Sequence, residues 1–183
     1  MKKLFSLLMV ALLVLCSCTQ NSDSGYNDAL DLFLEVFYEG DFSRARELAP
    51  DAFWDYCEKD TDITYDDLIK QLNDLEYSKE VVDKFKEKYG EDYTISFKII
   101  EKEIPGDQEF DSIASDVSYN IGNNNVNVND AIKCKIEITA KGSKNEITQT
   151  DDFLFVEVGG KWYVYYNNVG FSAVGLFLVI SDW

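Results

Sequence analysis

Hydrophobic and polar side chains alternate most regularly between Asp130 and Asn167. In the first part of this stretch every second position is apolar and the positions between are polar or charged, which is typical of a strand with one buried face. A polar turn follows, and Ile147–Val158 is predicted to return as a second strand. Gly159-Gly160 then predicts a tight hairpin into a third strand, Lys161–Tyr166. The rest of the chain must cover the apolar face of this meander, which begins with Ile132, Cys134, Ile136, Ile138 and Ala140.

The N-terminal half carries apolar residues at helical spacing instead. The first such stretch has a wide apolar face, and Gly40 is placed to end it. Gly90 is placed in the same way after the last stretch. Serine and threonine residues stand where helix caps are expected. The predicted helices are Tyr26–Glu39, Ser43–Leu48, Asp51–Cys57, one that begins after Thr64, and Ser78–Lys88.

Further along the chain, Tyr93–Ile99 alternates as another one-faced strand, and Pro105-Gly106 ends it. Residues 108–118 return to helical spacing and predict a short helix inserted between strands. The asparagine-rich run 123–129 reads as a loop or an irregular edge strand. The apolar stretch Val169–Ile180 is too short to span a bilayer, and its glycines argue against a strong helix, so we expect a final buried strand or a packed tail.

The N-terminus has the parts of an export signal. Lys2 and Lys3 precede an apolar segment of about twelve residues, shorter than the ~20 that a membrane span needs. The segment ends in Leu15-Cys16-Ser17-Cys18, which resembles the bacterial lipoprotein signal. The resemblance implies cleavage before Cys18 and its lipidation, because the small residue Ser17 precedes it. It divides the chain into a signal peptide (1–17), a flexible tether (18–25) and one domain (26–183), held by the lipid on the extracytoplasmic side of the cell membrane. An ordinary secretory signal is the alternative.

The composition of the chain excludes several classes of function. The 183 residues carry a net charge of −17, so nucleic acid is a poor partner. There is no histidine, which excludes imidazole as a catalytic base or metal ligand. The acid-rich run from Asp60 has Tyr65 and Gln71 where a calcium-binding EF-hand needs glycine and glutamate. We therefore predict no metal and no cofactor.

The order of elements resembles the cystatin-like cone fold of nuclear-transport-factor-two-like and ketosteroid-isomerase-like domains. The similarity rests on the first helix with its Glu39-Gly40-Asp41-Phe42 turn and on the closing hairpin Gly159-Gly160-Lys161-Trp162-Tyr163-Val164. It implies an α+β fold in which a curved antiparallel sheet wraps around the N-terminal helix. Such folds often leave a conical pocket, so the resemblance offers a site but no chemistry.

Five aromatic residues are candidates for that pocket or for an interface, with core packing as the alternative. On the last strand, Tyr163 and Tyr165 lie on the face opposite Trp162 and Val164. One pair should then be in the core and the other exposed or at an interface. The five candidates are Trp54, Tyr93, Trp162, Tyr163 and Tyr165.

Cys57 and Cys134 are the remaining cysteines of the mature chain apart from Cys18. The extracytoplasmic compartment permits a disulfide between them. Two buried thiols fit the sequence equally well, since cysteine is often buried as a small apolar residue.

These observations favour a non-catalytic binding or interaction module with an unknown small ligand or protein partner. One alternative is an isomerase-like enzyme with an aspartate base and a tyrosine or protonated aspartate as oxyanion donor. Another is a structural subunit of an envelope complex, or a homodimer through the sheet face. The pKa of a pocket carboxyl group discriminates the enzyme, since a base for proton transfer should titrate well above ~4.

Overall fold

Four antiparallel strands form a single sheet in the order β1-β2-β3-β4. The computed structural model describes residues 22–38, 42–61, 64–67, 70, 76–122 and 126–165. Within those ranges the fold is α+β, as the sequence predicts. The strands are β1 (Thr94–Glu103), β2 (Val128–Lys141), β3 (Glu146–Val158) and β4 (Lys161–Tyr165).

Most helices precede the strands in sequence, and one helix lies in the chain between the first and the second strand. The predicted inserted helix is confirmed, because α4 lies between the neighbouring strands β1 and β2. The helices are α1 (Ser22–Tyr38), a 3₁₀ helix (Phe42–Leu48), α2 (Asp51–Thr61), α3 (Glu76–Tyr89) and α4 (Asp107–Asn120).

The β3–β4 hairpin has the predicted two-residue turn. Gly159 and Gly160 have φ angles of 62° and 83°, which suit a turn whose twist matches that of the flanking strands. Val158 pairs with Lys161 directly beside the turn. Register shifts also occur between Ile99 and Glu101 in β1 and near the start of β2. Such irregularities bend strands and increase their twist.

The first core lies between one face of the sheet and α1, the 3₁₀ helix and α3. The alternating residues of β2 point into it as predicted, since Cys134, Ile136, Ile138 and Ala140 are all buried. Aromatic rings join helix and sheet: the Phe33 and Phe153 rings meet edge to face with centroids 5.7 Å apart.

A second core lies on the opposite face of the sheet, at the end that carries β4. Phe53 and Trp54 of α2 and Ile113 and Val117 of α4 cover it. The sheet contributes Ala131, Leu154, Val156, Tyr163 and Tyr165. This end of the sheet is therefore buried on both faces.

The turn between β2 and β3 holds the end of α3. The backbone N–H of Lys144 donates to the Tyr89 carbonyl at 2.8 Å, and the Lys144 ammonium donates to the Glu87 carbonyl at 3.1 Å. Ser143 donates from both its N–H and its hydroxyl to Asp92, at 3.1 and 2.7 Å, and these bonds lower the pKa of Asp92. Carbonyl groups that the helix cannot satisfy are thus paired by a turn far away in sequence.

Several element boundaries differ from the predicted ones. Helix α1 begins at Ser22, four residues inside the segment expected to be a tether, and α2 extends to Thr61 rather than Cys57. Helix α3 begins at Glu76, so Ser78 lies within it and is not its cap. The cap at Thr64 is confirmed, because its hydroxyl oxygen accepts the Asp67 N–H at 3.1 Å.

Some predictions concern parts of the chain outside the described residues. They are the signal peptide with Cys18, the turn at residues 39–41, most of the helix expected after Thr64, the asparagine-rich residues 123–125, and the apolar stretch Val169–Ile180. None of the described helices is both long enough and apolar enough to cross a membrane.

Candidate functional site

A groove of about 260 Å³ lies between α1, the 3₁₀ helix and the β3–β4 hairpin. Its apolar lining comes from Ala29, Leu32, Leu48, Trp162 and Val164. Four charged residues also line it: Asp28, Arg44, Glu47 and Lys161. An apolar groove with a few convergent polar groups is the usual form of a small-molecule site.

Arg44 is the centre of the charged rim. Its Nε donates to Glu47 Oε1 at 2.8 Å and its Nη2 to Glu47 Oε2 at 3.0 Å, which makes a two-pronged pair along the 3₁₀ helix. Its Nη1 donates to Glu35 of α1 at 2.5 Å. The guanidinium thus ties the 3₁₀ helix to α1 and is held in one orientation.

These contacts affect the protonation of Arg44 and Glu47. The hydrogen bond from Arg44 holds the pKa of Glu47 below its usual range, and the same bond raises the pKa of Arg44. Glu47 is therefore a carboxylate and a weak base at neutral pH. Lys161 lies beside it, with its ammonium 3.4 Å from the Glu47 carbonyl oxygen and 5.4 Å from the centre of the Tyr163 ring.

Trp162 forms the end of the groove next to the hairpin. Its indole packs edge to face on Tyr26, with ring centroids 5.7 Å apart. A Cβ atom on Gly25 would come within 2.3 Å of the indole Cδ1. Only glycine at position 25 lets the first turn of α1 approach the indole this closely.

Two of the five candidate aromatics, Trp162 and Tyr163, meet in this groove. Tyr163 also belongs to the second core, and burial raises the pKa of its hydroxyl. The groove thus lies where the hairpin passes between the two cores.

The other three candidates are not brought together there. Trp54 is buried in the second core, where its indole N–H donates to the Arg46 carbonyl at 2.8 Å. Tyr93 is half-buried at the edge of the first core beside Phe85, with ring centroids 5.6 Å apart. Trp54 and Tyr93 therefore pack in the core, which was the alternative to a pocket or an interface.

Tyr165 is fully buried in a polar network of the second core. Its hydroxyl donates to Asp116 Oδ2 at 2.6 Å and accepts from Asn120 Nδ2 at 2.8 Å. Burial first, and then the bond to Asp116, raise the pKa of Tyr165. The network joins β4 to α4 rather than lining the groove.

The expectation that one face of β4 is exposed or at an interface is wrong. Tyr163, Val164 and Tyr165 are all buried, and Trp162 is half-buried. The physical reason is the second helical layer, since α2 and α4 cover the face that a one-layer arrangement would leave open.

Cys57 and Cys134 are not joined in a disulfide. Cys134 is buried in the first core, whereas Cys57 packs against the second, on the other side of the sheet. The disulfide alternative is therefore wrong for this structure.

Sequence reasoning missed the charged residues of the groove. Arg44 and Glu47 stand three residues apart in a 3₁₀ helix, a spacing that brings their side chains together. The contact of Arg44 with Glu35 depends on the path of the chain after α1, which a local sequence pattern does not predict.

Among the described residues, no three histidine, cysteine, aspartate or glutamate side chains come together as a metal-binding group. Comparison with models of protein families, with curated proteins and with solved structures finds no match for this chain. The site must therefore be interpreted from its own geometry.

Proposed function

We propose that this chain is a lipoprotein whose acylated Cys18 anchors it to the extracytoplasmic side of the cell membrane. The support is the basic start, the short apolar segment and the cysteine-terminated box of the first eighteen residues. Two or more acyl chains on one cysteine are enough for stable anchoring.

We propose further that the domain is a non-catalytic binding module whose binding site is the groove between α1, the 3₁₀ helix and the β3–β4 hairpin. The observation that carries this is the pairing of Glu47, whose two carboxylate oxygens accept hydrogen bonds from Arg44 at 2.8 and 3.0 Å and leave it poorly placed to act as a base. A carboxyl group that is to abstract a proton needs a raised pKa, and the pKa of Glu47 is lowered by Arg44. An apolar floor with a fixed charged rim suits recognition of a ligand, a small molecule or a segment of a partner protein.

The arrangement supports a cystatin-like cone as the fold of this module. Helix α1 packs against one face of the sheet, in the same core as Phe153, Phe155 and Val164, and in such a cone this would be the concave face. The register shifts in β1 and β2 provide points at which the sheet can curve around the helix. In such a cone the groove would correspond to the mouth that one helix leaves unfilled.

The anchor is tested by expressing the full chain in a bacterium fed with a palmitate analogue that carries a chemical handle. The wild type and Cys16→Ser should both incorporate the label, and Cys18→Ser should not. Cys16→Ser is the matched control, because it removes a neighbouring thiol from the same box. Labelling that persists in Cys18→Ser would refute lipidation at this residue.

The groove is tested with the fluorescent probe 1-anilinonaphthalene-8-sulfonate, whose apolar rings fit the floor and whose sulfonate suits Lys161. The wild type should bind the probe saturably. Asp28→Trp places a large side chain at an exposed position of the groove lining and should remove this binding, whereas Ser112→Trp, on the exposed side of α4, should not. Equal probe binding by both variants would contradict the groove as the binding site.

A further inference from the structure

The distance between the proposed anchor and the domain is short, and this limits how the domain can face the membrane. Helix α1 begins at Ser22, four residues after Cys18. Four residues span at most about 14 Å, whatever their conformation. The first turn of α1 must therefore lie close to the membrane surface. This step rests on the lipid anchor proposed above.

The first turn of α1 also contributes Gly25 to the lining of the groove. Gly25, in the first turn of α1, packs directly against the Trp162 indole, and Trp162 is the residue after Lys161, which follows the hairpin turn. Three residues of helix advance about 4.5 Å. Trp162 is thus held within roughly 20–25 Å of the acylated cysteine, given the extended limit of the connecting residues.

The hairpin tip is exposed at the surface of the domain. Gly159 and Gly160 are exposed, and apart from the residue itself and its chain neighbours no described atom lies within 4 Å of the position that a Cβ atom would take on either residue. A tip without side chains can approach a surface closely. Lys161 and Trp162 follow it at once.

The lining of the groove is less acidic than the chain as a whole. The chain has a net charge of −17, which repels anionic headgroups. The groove is lined by two basic and two acidic side chains, so it is locally neutral. Tryptophan is enriched where membrane and water meet, and a lysine near an anionic surface is attracted to it.

We propose that the hairpin end of the domain rests on the headgroup layer of the membrane that holds the anchor, with Trp162 at the interface. The groove then opens at the membrane surface, and ligands reach it from there. The partner of this surface is the lipid bilayer.

The test uses the acylated full chain in vesicles of phosphatidylethanolamine and phosphatidylglycerol that contain brominated lipids, which quench nearby indoles. Trp54→Phe with Trp183→Phe leaves only Trp162 to report. The matched control, Trp162→Phe with Trp183→Phe, leaves only Trp54, which is buried in the second core. We expect quenching of Trp162 to exceed that of Trp54 by about threefold or more, as an indole at the interface requires.

Two results would overturn the inference, and they are distinguishable. An acyl chain on the protein with no more quenching of Trp162 than of Trp54 refutes the orientation alone. Absence of the acyl chain, read by mass spectrometry of the same sample, refutes the anchor and the orientation together. A second measurement guards against misfolding of the tryptophan variants. In acylated protein that is otherwise wild type, Lys161→Glu should reduce the protection of the hairpin against protease cleavage at least about twofold. The reason is that the added negative charge is repelled by the anionic lipid. Unchanged protection would also count against the orientation.

Discussion

Replacing Tyr165 with phenylalanine removes one oxygen atom from the polar network between β4 and α4. That oxygen donates to Asp116 at 2.6 Å and accepts from Asn120 at 2.8 Å. Asn120 keeps its second bond, to the Asp116 carbonyl at 2.9 Å. The half-buried Asp116 carboxylate, by contrast, loses a donor that only water can replace.

Hydrogen bonds to charged groups contribute about 1.5–3 kcal/mol to stability. Since water can reach the half-buried carboxylate, Tyr165→Phe should lower the free energy of unfolding by a value near the lower end, about 1.5 kcal/mol. Tyr89→Phe is the matched control. Both rings are 1% exposed, but the Tyr89 hydroxyl is buried without a hydrogen-bond partner among the described residues.

Burying an unpaired hydroxyl costs about 1–3 kcal/mol, so its removal should leave stability unchanged or raise it by up to ~1 kcal/mol after the lost packing of one atom. Urea unfolding followed by circular dichroism measures both variants, with unchanged m-values as the check that one transition is compared. Equal losses in the two variants, or a larger loss in Tyr89→Phe, would refute the reasoning.

Three further predictions concern other parts of the domain. Gly142→Ala should destabilise the protein by about 2 kcal/mol or more in thermal unfolding, because the added Cβ would lie 2.3 Å from the backbone carbonyl oxygen of the last residue of α3. Gly106→Ala is the control, since its Cβ would meet no described atom beyond its chain neighbours within 4 Å, and it should change stability little. Burial raises the pKa of Tyr165, so the contribution of its protonated hydroxyl to the free energy of unfolding is complete below about pH 10, where the unfolded chain begins to lose this proton, and declines as the pH rises further. Tyr165→Phe should flatten that decline in urea titrations, and a curve parallel to that of the wild type would contradict the prediction. Arg44→Gln should return the pKa of Glu47 toward its ordinary value, measured by carbon-detected NMR, and an unchanged pKa would show that Arg44 is not its cause.

The strict patterns predicted their elements well. Alternation in β2 is confirmed because one face of that strand meets the first core along nearly its whole length, as at Ile136 and Ile138. Helix α4 is confirmed for the same reason, since Ile113 and Val117 recur at helical spacing and are both buried. In these elements the local pattern and the tertiary environment agree.

The second layer was not predicted, although β3 carries a signal for it. Phe153, Leu154, Phe155 and Val156 are four consecutive apolar residues, and a strand that is apolar on both sides is buried on both faces. The prediction of a meander with a single apolar face to cover missed this change along the strand.

The groove could be predicted only in part. Trp162 stood out as a large aromatic beside a glycine hairpin. Arg44 and Glu47 did not, because the chain has 17 basic and 34 acidic residues, and nothing local distinguishes a charge that pairs across two helices from one that faces water. The packing of α1 against the 3₁₀ helix creates that distinction.

The most direct test of the central claim, that a lipid on Cys18 anchors the domain to the membrane, is the mass of the N-terminal peptide of the mature protein. The protein is produced as the full chain in a bacterium and digested, and the peptide is identified by mass spectrometry. We predict that it begins at Cys18 and carries acyl chains on that residue. A mature N-terminus at another position, or an unmodified Cys18, would contradict the account.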